Sequence, residues 1–112
     1  SPNINRQEDA LLCFDKALML LPNDLGALSL RGYALDNIGR YREAIDCFDK
    51  ILEIQPREVN SILNKGFALS HLGKYDEAIA YFDTVLDYEP NNFIAMQLKQ
   101  EAVKSMKRDF LR

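Results

Sequence analysis

Two stretches of this chain read almost as one: Gly32–Pro56, GYALDNIGRYREAIDCFDKILEIQP, and Gly66–Pro90, GFALSHLGKYDEAIAYFDTVLDYEP. Extended to Leu25–Glu58 against Val59–Asn92, the ungapped pairing holds 12 identities in 34 positions. Pro22, Pro56 and Pro90 keep the same spacing of 34 residues, and so do Ala10, Ala44, Ala78 and Phe14, Phe48, Phe82. Self-similarity at a fixed period of this length marks an architecture of stacked units, none of which buries its apolar face alone.

Within a unit the apolar pattern is helical. Ala44, Ile45, Phe48, Ile51 and Leu52 recur at i, i+1, i+4, i+7 and i+8, one broad stripe. Ala78, Ile79, Phe82, Val85 and Leu86 repeat it, and Ala10, Leu11, Phe14, Ala17 and Leu18 give it once more upstream. Each proline ends such a stripe, because proline cannot continue a helix and disfavours helix in the residue before it. Asn23-Asp24 and Asn91-Asn92 follow as caps for the next helix. Gly39 and Gly73 sit where a left-handed residue closes the first helix of a pair. Each unit therefore reads as helix, tight turn, helix.

These residues resemble the tetratricopeptide repeat, with its sparse signature W-x2-L-G-x2-Y, then A-x3-F, then P over 34 residues. Its glycine falls on Gly32 and Gly66, its alanine on Ala44 and Ala78, its phenylalanine on Phe48 and Phe82, and its proline on Pro56 and Pro90. The sequence departs from the signature at Leu28 and Ile62 in place of the aromatic, at Leu35 and Leu69 in place of the tyrosine, and at Arg31 and Lys65 in place of the leucine. Apolar swaps preserve packing, and the two basic residues are expected at an edge with their stems covering neighbours. The resemblance implies an all-α, right-handed solenoid of antiparallel helix pairs. In that frame residues 7–21 form the second helix of a partial repeat, 25–58 and 59–92 are full repeats, and 93–111 is a C-terminal capping helix, all one domain over 1–112. In the capping helix Phe93, Met96, Val103, Met106 and Phe110 recur at helical spacing, with Gln100 where the glycines stood.

Composition narrows the function classes. The 112 residues carry a net charge of -3, and 47% are apolar, which suits one folded domain. Up to Pro90 there are 9 basic and 15 acidic residues, and from Asn91 onward 5 and 2. An acidic body argues against binding nucleic acid through its phosphates. The basic end (Lys99, Lys104, Lys107, Arg108, Arg112) reads as a solvated helix face at a helix C-terminus. No apolar run reaches the roughly 20 residues of a membrane span, and residues 1–6 lack the apolar stretch of a signal peptide. The expected location is therefore cytoplasmic, with no membrane partner.

No catalytic constellation stands out. There is no GxSxG, HExxH, P-loop or dinucleotide fingerprint. The sole histidine, His71, precedes Gly73 near a helix end, a favourable place for it. Cys13 and Cys47 lack CxxC spacing and lie one repeat apart, so they read as two small, partly buried core residues and neither a zinc site nor a disulfide. Asp46/Asp49 and Asp83/Asp87 share helix faces and read as exposed outer surface. No enzyme activity, cofactor or metal is expected.

The resemblance implies a concave groove lined by the first helix of each repeat and a peptide or helix of a partner protein as its ligand. Its groove-facing places fall on Ser29, Tyr33, Asp36 and Asn37, then on Asn60, Leu63, Asn64, Phe67, Ser70 and His71, then on Ile94, Gln97, Glu101 and Lys104. Tyr33 and Phe67, one repeat apart, are expected side by side. Members that grip the C-terminal carboxylate of heat-shock chaperones use a clamp of Lys, Arg and Asn donors. Asn64 matches one of these, whereas the next basic places hold Ile94 and Leu98, so that specialisation is not expected. The alternative function is self-association, a homodimer formed through apolar terminal helices such as that bearing Leu11, Phe14 and Leu18.

Overall fold

The computed structural model describes residues 2–112, with side chains described from residue 5. Six helices follow one another: α1 (Pro2–Leu20), α2 (Leu25–Asn37), α3 (Tyr41–Ile54), α4 (Val59–His71), α5 (Tyr75–Tyr88) and α6 (Phe93–Phe110). Each packs antiparallel on its sequence neighbour, giving an all-α stack of helix pairs. The thinnest dimension is 19 Å against 44 Å for the longest, two helix layers of about 10 Å each. None of these helices is long and apolar enough to cross a membrane.

The turns follow from their residues. Gly39 and Gly73 take φ of +80° and +79°, a region that L side chains rarely occupy. Each completes a paired C-terminal closure. Gly39 N–H donates to the Asp36 carbonyl and Arg40 N–H to that of Leu35, at 3.1 and 2.9 Å. Gly73 and Lys74 do the same toward Ser70 and Leu69. The prolines act as expected: α3 and α5 stop two residues before Pro56 and Pro90, and Gln55 and Glu89 turn to a ψ of 84°. Asp24 and Asn92 cap α2 and α6 by accepting the Ala27 and Ala95 N–H at 3.0 and 2.8 Å. Glu58, which sequence reasoning passed over, caps α4: one carboxylate oxygen accepts Asn60 N–H and the other the hydroxyl of buried Ser61.

Packing within a repeat centres on one ring over one glycine. Phe48 and Phe82 are fully buried. A Cβ placed on Gly32 would lie 2.6 Å from Phe48 Cζ, and one on Gly66 would lie 2.5 Å from Phe82 Cε1. Only glycine lets the ring lie on the helix backbone. Around these rings one buried cluster gathers Leu11, Leu28, Leu35 and Ile51, and a second gathers Ile62, Leu69, Val85 and Ala102.

Between repeats runs an ionic ladder that the sequence reading missed. Arg31 of α2 bridges back to Asp15 of α1 at 2.8 Å, Lys65 of α4 to Asp49 of α3 at 2.6 Å, and Lys99 of α6 to Asp83 of α5 at 2.7 Å. All six positions obey the 34-residue period. Arg31 and Lys65 are at an edge, as expected, and each also reaches a second helix: Arg31 donates to Cys47 Sγ at 3.0 Å, and the Lys65 ammonium lies 4.7 Å from the Tyr81 ring centre. Asp49 and Asp83 are therefore bridging residues rather than idle outer surface. Half-exposed pairs of this kind contribute roughly 0–1 kcal/mol each, so they set register more than stability.

The ends differ from expectation. α1 begins at Pro2, five residues before the expected Gln7, and proline at a first helical position needs no hydrogen-bond partner for its nitrogen. Cys47 is buried, but Cys13 is exposed, because among the described residues α1 packs only against α2. On α6 the residues buried against the body are Ala95 and Ala102, with Leu98 beside them, whereas Phe93 and Phe110 stay 73% and 88% exposed. Met96 and Val103 stand one period after Ile62 and Leu69, which face α5. Among the described residues the equivalent side of α6 meets no further helix, and Met96 is left exposed there.

Gly66→Ala gains at most about 1 kcal/mol of helix propensity and loses about 1–3 kcal/mol to the displaced Phe82 ring. Urea unfolding followed by circular dichroism should therefore show a lowered midpoint, a net loss of up to about 2–3 kcal/mol. An unchanged or raised midpoint would mean that the ring does not need the glycine.

Candidate partner-binding groove

Curvature follows from which helices touch. Among the described residues α2 contacts α4 and α4 contacts α6, whereas the second helices α3 and α5 do not meet. The first helices therefore line the inner, concave side of the stack, and residues on their free faces look into it.

The structure divides the expected groove residues into three groups. Tyr33, Asn37, Asn60, His71, Gln97 and Glu101 are exposed, with Ser29, Asn64, Phe67 and Ser70 half-buried. Leu63 is buried and belongs to the core. Lys104 is exposed at the other edge of α6, where it lines a terminal surface with Leu86, Met96 and Val103 rather than joining Glu101.

Tyr33 and Phe67 do not stand side by side. Tyr33, 44% exposed, meets the buried Phe48 edge-on at 6.4 Å between ring centres. Phe67 instead meets Tyr41 at 6.4 Å and His71 at 4.4 Å. Tyr41 stacks flat on His71 at 4.9 Å and 14° between planes. The pitch of the stack puts Tyr41, the first residue of the next helix, against the following repeat's Phe67. His71 is thus part of an aromatic cluster as well as a helix-terminal residue. Tyr41 was absent from the expected set, although its place 34 residues before Tyr75 was visible.

One period further on, Tyr75 faces Glu101 and Ser105 in the places of Phe67 and His71. The smaller residues leave a pocket of about 260 Å³ between α4, α5 and α6, bounded by Phe67, Ser70, His71, Leu98 and Arg108 as well. Its rim is braced: Tyr75 Oη donates to Asp109 Oδ2 at 2.6 Å, and Arg108 donates to Ser105 Oγ at 3.1 Å. Four expected residues, Phe67, Ser70, His71 and Glu101, converge here.

Asp36 is the electrostatic exception on this face. Its Oδ1 is buried and has no hydrogen-bond partner among the described residues. Burial pushes the carboxyl up to about 7.

The fold and the concave row define a tetratricopeptide-repeat protein. The chain belongs to the family of anaphase-promoting complex (cyclosome) subunit 3, whose model matches residues 3–85. No curated protein sequence matches significantly. Among solved structures, the first such domain of Spaghetti (RPAP3), bound to the HSP90 peptide SRMEEVD, superposes with a TM-score of 0.83 at 20% identity, over 92% of this chain and 82% of that one. The corresponding domain of Arabidopsis OM64 gives 0.81 at 24% identity, over 90% and 84%. A MamA RS-1 double mutant gives 0.81 at 27% identity over 91% of this chain, which spans 57% of its length.

The raised Asp36 carboxyl makes a signed prediction. Between the ordinary carboxylate range near 4 and about 7, the folded chain holds a proton that the unfolded chain has released. Stability contributed by this group is therefore lost as pH rises through that window. Relative to wild type, Asp36→Asn should flatten the fall in unfolding midpoint between pH 4.5 and 7.5 and stabilise the chain most at the upper end. Parallel curves for the two proteins would show that Asp36 is solvated.

Proposed function

We propose that this chain is a non-enzymatic protein-interaction scaffold that takes a peptide or helix of a partner protein in the concave groove of α2, α4 and α6. The observation that carries the reading is the composition of that inner face. Partly exposed rings (Tyr33, Phe67, His71) alternate with amide and carboxylate side chains (Asn37, Asn60, Asn64, Gln97, Glu101). Such a surface offers apolar area together with donors and acceptors for a backbone. The superposed Spaghetti (RPAP3) domain holds a chaperone peptide, which supports a peptide as the class of ligand. A chaperone C-terminal carboxylate is not the ligand proposed, since exposed Ile94 and half-buried Leu98 occupy two donor places of that clamp. The two free thiols suit a reducing compartment, and the cytoplasm is the location we propose.

The ends favour a second reading, self-association into a homodimer. Leu11 is buried in the core and Phe14 and Leu18 pack against it, so the exposed apolar surface here is instead Leu12, Met19, Leu20 and Leu21, on or just after α1 and each at least 62% exposed. Light scattering across a concentration series tests it, because a constant 12.9 kDa mass would remove it.

For the groove, capture from source-cell lysate by wild type is compared with capture by an Asn37→Ala, Asn64→Ala variant and by an outer-face control, Lys50→Ala, Asp87→Ala. The expected result is one partner lost at least about tenfold with the groove variant alone, the equivalent of about 1.4 kcal/mol. Equal loss with the outer-face control would move binding off the groove.

A further inference from the structure

We infer that the pocket between α4, α5 and α6 receives one aromatic side chain of a partner, a ring that carries a hydrogen-bond donor such as the tyrosine hydroxyl. The inference rests on the groove reading and names what the groove selects.

The repeat itself shows what fills such a space. At the preceding step, Tyr41 is covered by two rings of the next first helix, His71 stacked at 4.9 Å and Phe67 edge-on at 6.4 Å. One period on, Tyr75 keeps its place, but Phe67 is replaced by Glu101 and His71 by Ser105. Rings are thereby exchanged for short polar groups around an otherwise periodic site, and about 260 Å³ opens. A buried apolar cavity of about 150 Å³ takes benzene, and sites for whole small molecules begin near 300 Å³. The space thus suits one aromatic side chain rather than a cofactor.

Chemistry refines the choice. Tyr75, Phe67, His71 and Leu98 supply ring faces and an apolar floor. Glu101 makes no hydrogen bond or ion pair among the described residues, so an acceptor stands ready at the wall where Phe67 stands one repeat earlier. Tyr75 Oη already donates to Asp109 and Ser105 Oγ already accepts from Arg108, so each has only neutral lone pairs left to offer. The Glu101 carboxylate is the strongest acceptor an incoming hydroxyl or ring N–H meets, and an aliphatic side chain gains no such bond.

The test uses the full chain, ¹⁵N-labelled, titrated with N-acetyl-tyrosinamide, N-acetyl-phenylalaninamide and N-acetyl-leucinamide. Tyrosinamide should shift the amide signals of residues 67, 71, 101 and 105. It should bind about fivefold more tightly than phenylalaninamide, the effect of one net hydrogen bond. Glu101→Phe with Ser105→His rebuilds the preceding aromatic cluster and should abolish these shifts while leaving the thermal midpoint unchanged or higher. Glu101→Ala keeps the pocket open and should erase only the preference for tyrosinamide. Shifts that map elsewhere, leucinamide binding equally well, or undiminished binding to a folded Glu101→Phe, Ser105→His protein would each overturn the proposal. A lysate partner lost with Asn37→Ala, Asn64→Ala but retained in full by the filled-pocket variant would overturn the pocket and leave the groove reading standing. Tyrosinamide seated in the pocket with no groove-dependent partner would uphold the pocket and remove the groove.

Discussion

Everything in this molecule hangs on a phenylalanine ring lying against a helix that has no side chain at the point of contact. Phe48 over Gly32 and Phe82 over Gly66 are the same contact made twice, and a single Cβ would sit 2.5–2.6 Å from the ring. Full burial of such a ring contributes about 1.5–3 kcal/mol, and the glycine lowers helix propensity by up to about 1 kcal/mol. The balance favours close approach. It sets how near the paired helices come, and with that the tilt at which the next pair stacks.

From that spacing the rest follows in order. The left-handed glycines at Gly39 and Gly73 reverse the chain in a few residues, so the second helix returns along the first. The ladder of Asp15–Arg31, Asp49–Lys65 and Asp83–Lys99 ties each first helix to the second helix before it. None of these ion pairs is a large source of stability. Because all three obey one period, they favour the native register of every repeat at once. First helices then meet each other while second helices stay apart, and the inner face curves into a groove.

The functional interest lies where the period is broken. A perfectly repeated chain would offer the same surface at each step, with no reason to hold a ligand at one place. Here the aromatic trio of Tyr41, Phe67 and His71 closes one step, and Tyr75 with Glu101 and Ser105 opens the next. Asp36, orphaned in the same face, stands one period before Ser70 at the pocket wall. Local departures from a regular frame are where such scaffolds acquire selectivity, since the frame itself is shared by proteins of unrelated roles.

The sequence by itself determined the repeat, its helix-turn-helix unit and the two left-handed glycines. All of these are local patterns or spacings of 34 residues that can be read along one line. It also placed the candidate groove residues on the first helices of the pairs, α2, α4 and α6. Only the tertiary structure decided which neighbours those residues have: Tyr33 with Phe48, Phe67 with Tyr41 and His71, Asp49 with Lys65, Cys13 in solvent. These depend on the angle and offset between helices, to which several contacts contribute together and which no single residue encodes. The pocket beside Tyr75 is the clearest instance, because it is made by residues from three helices and by the rings that are not there.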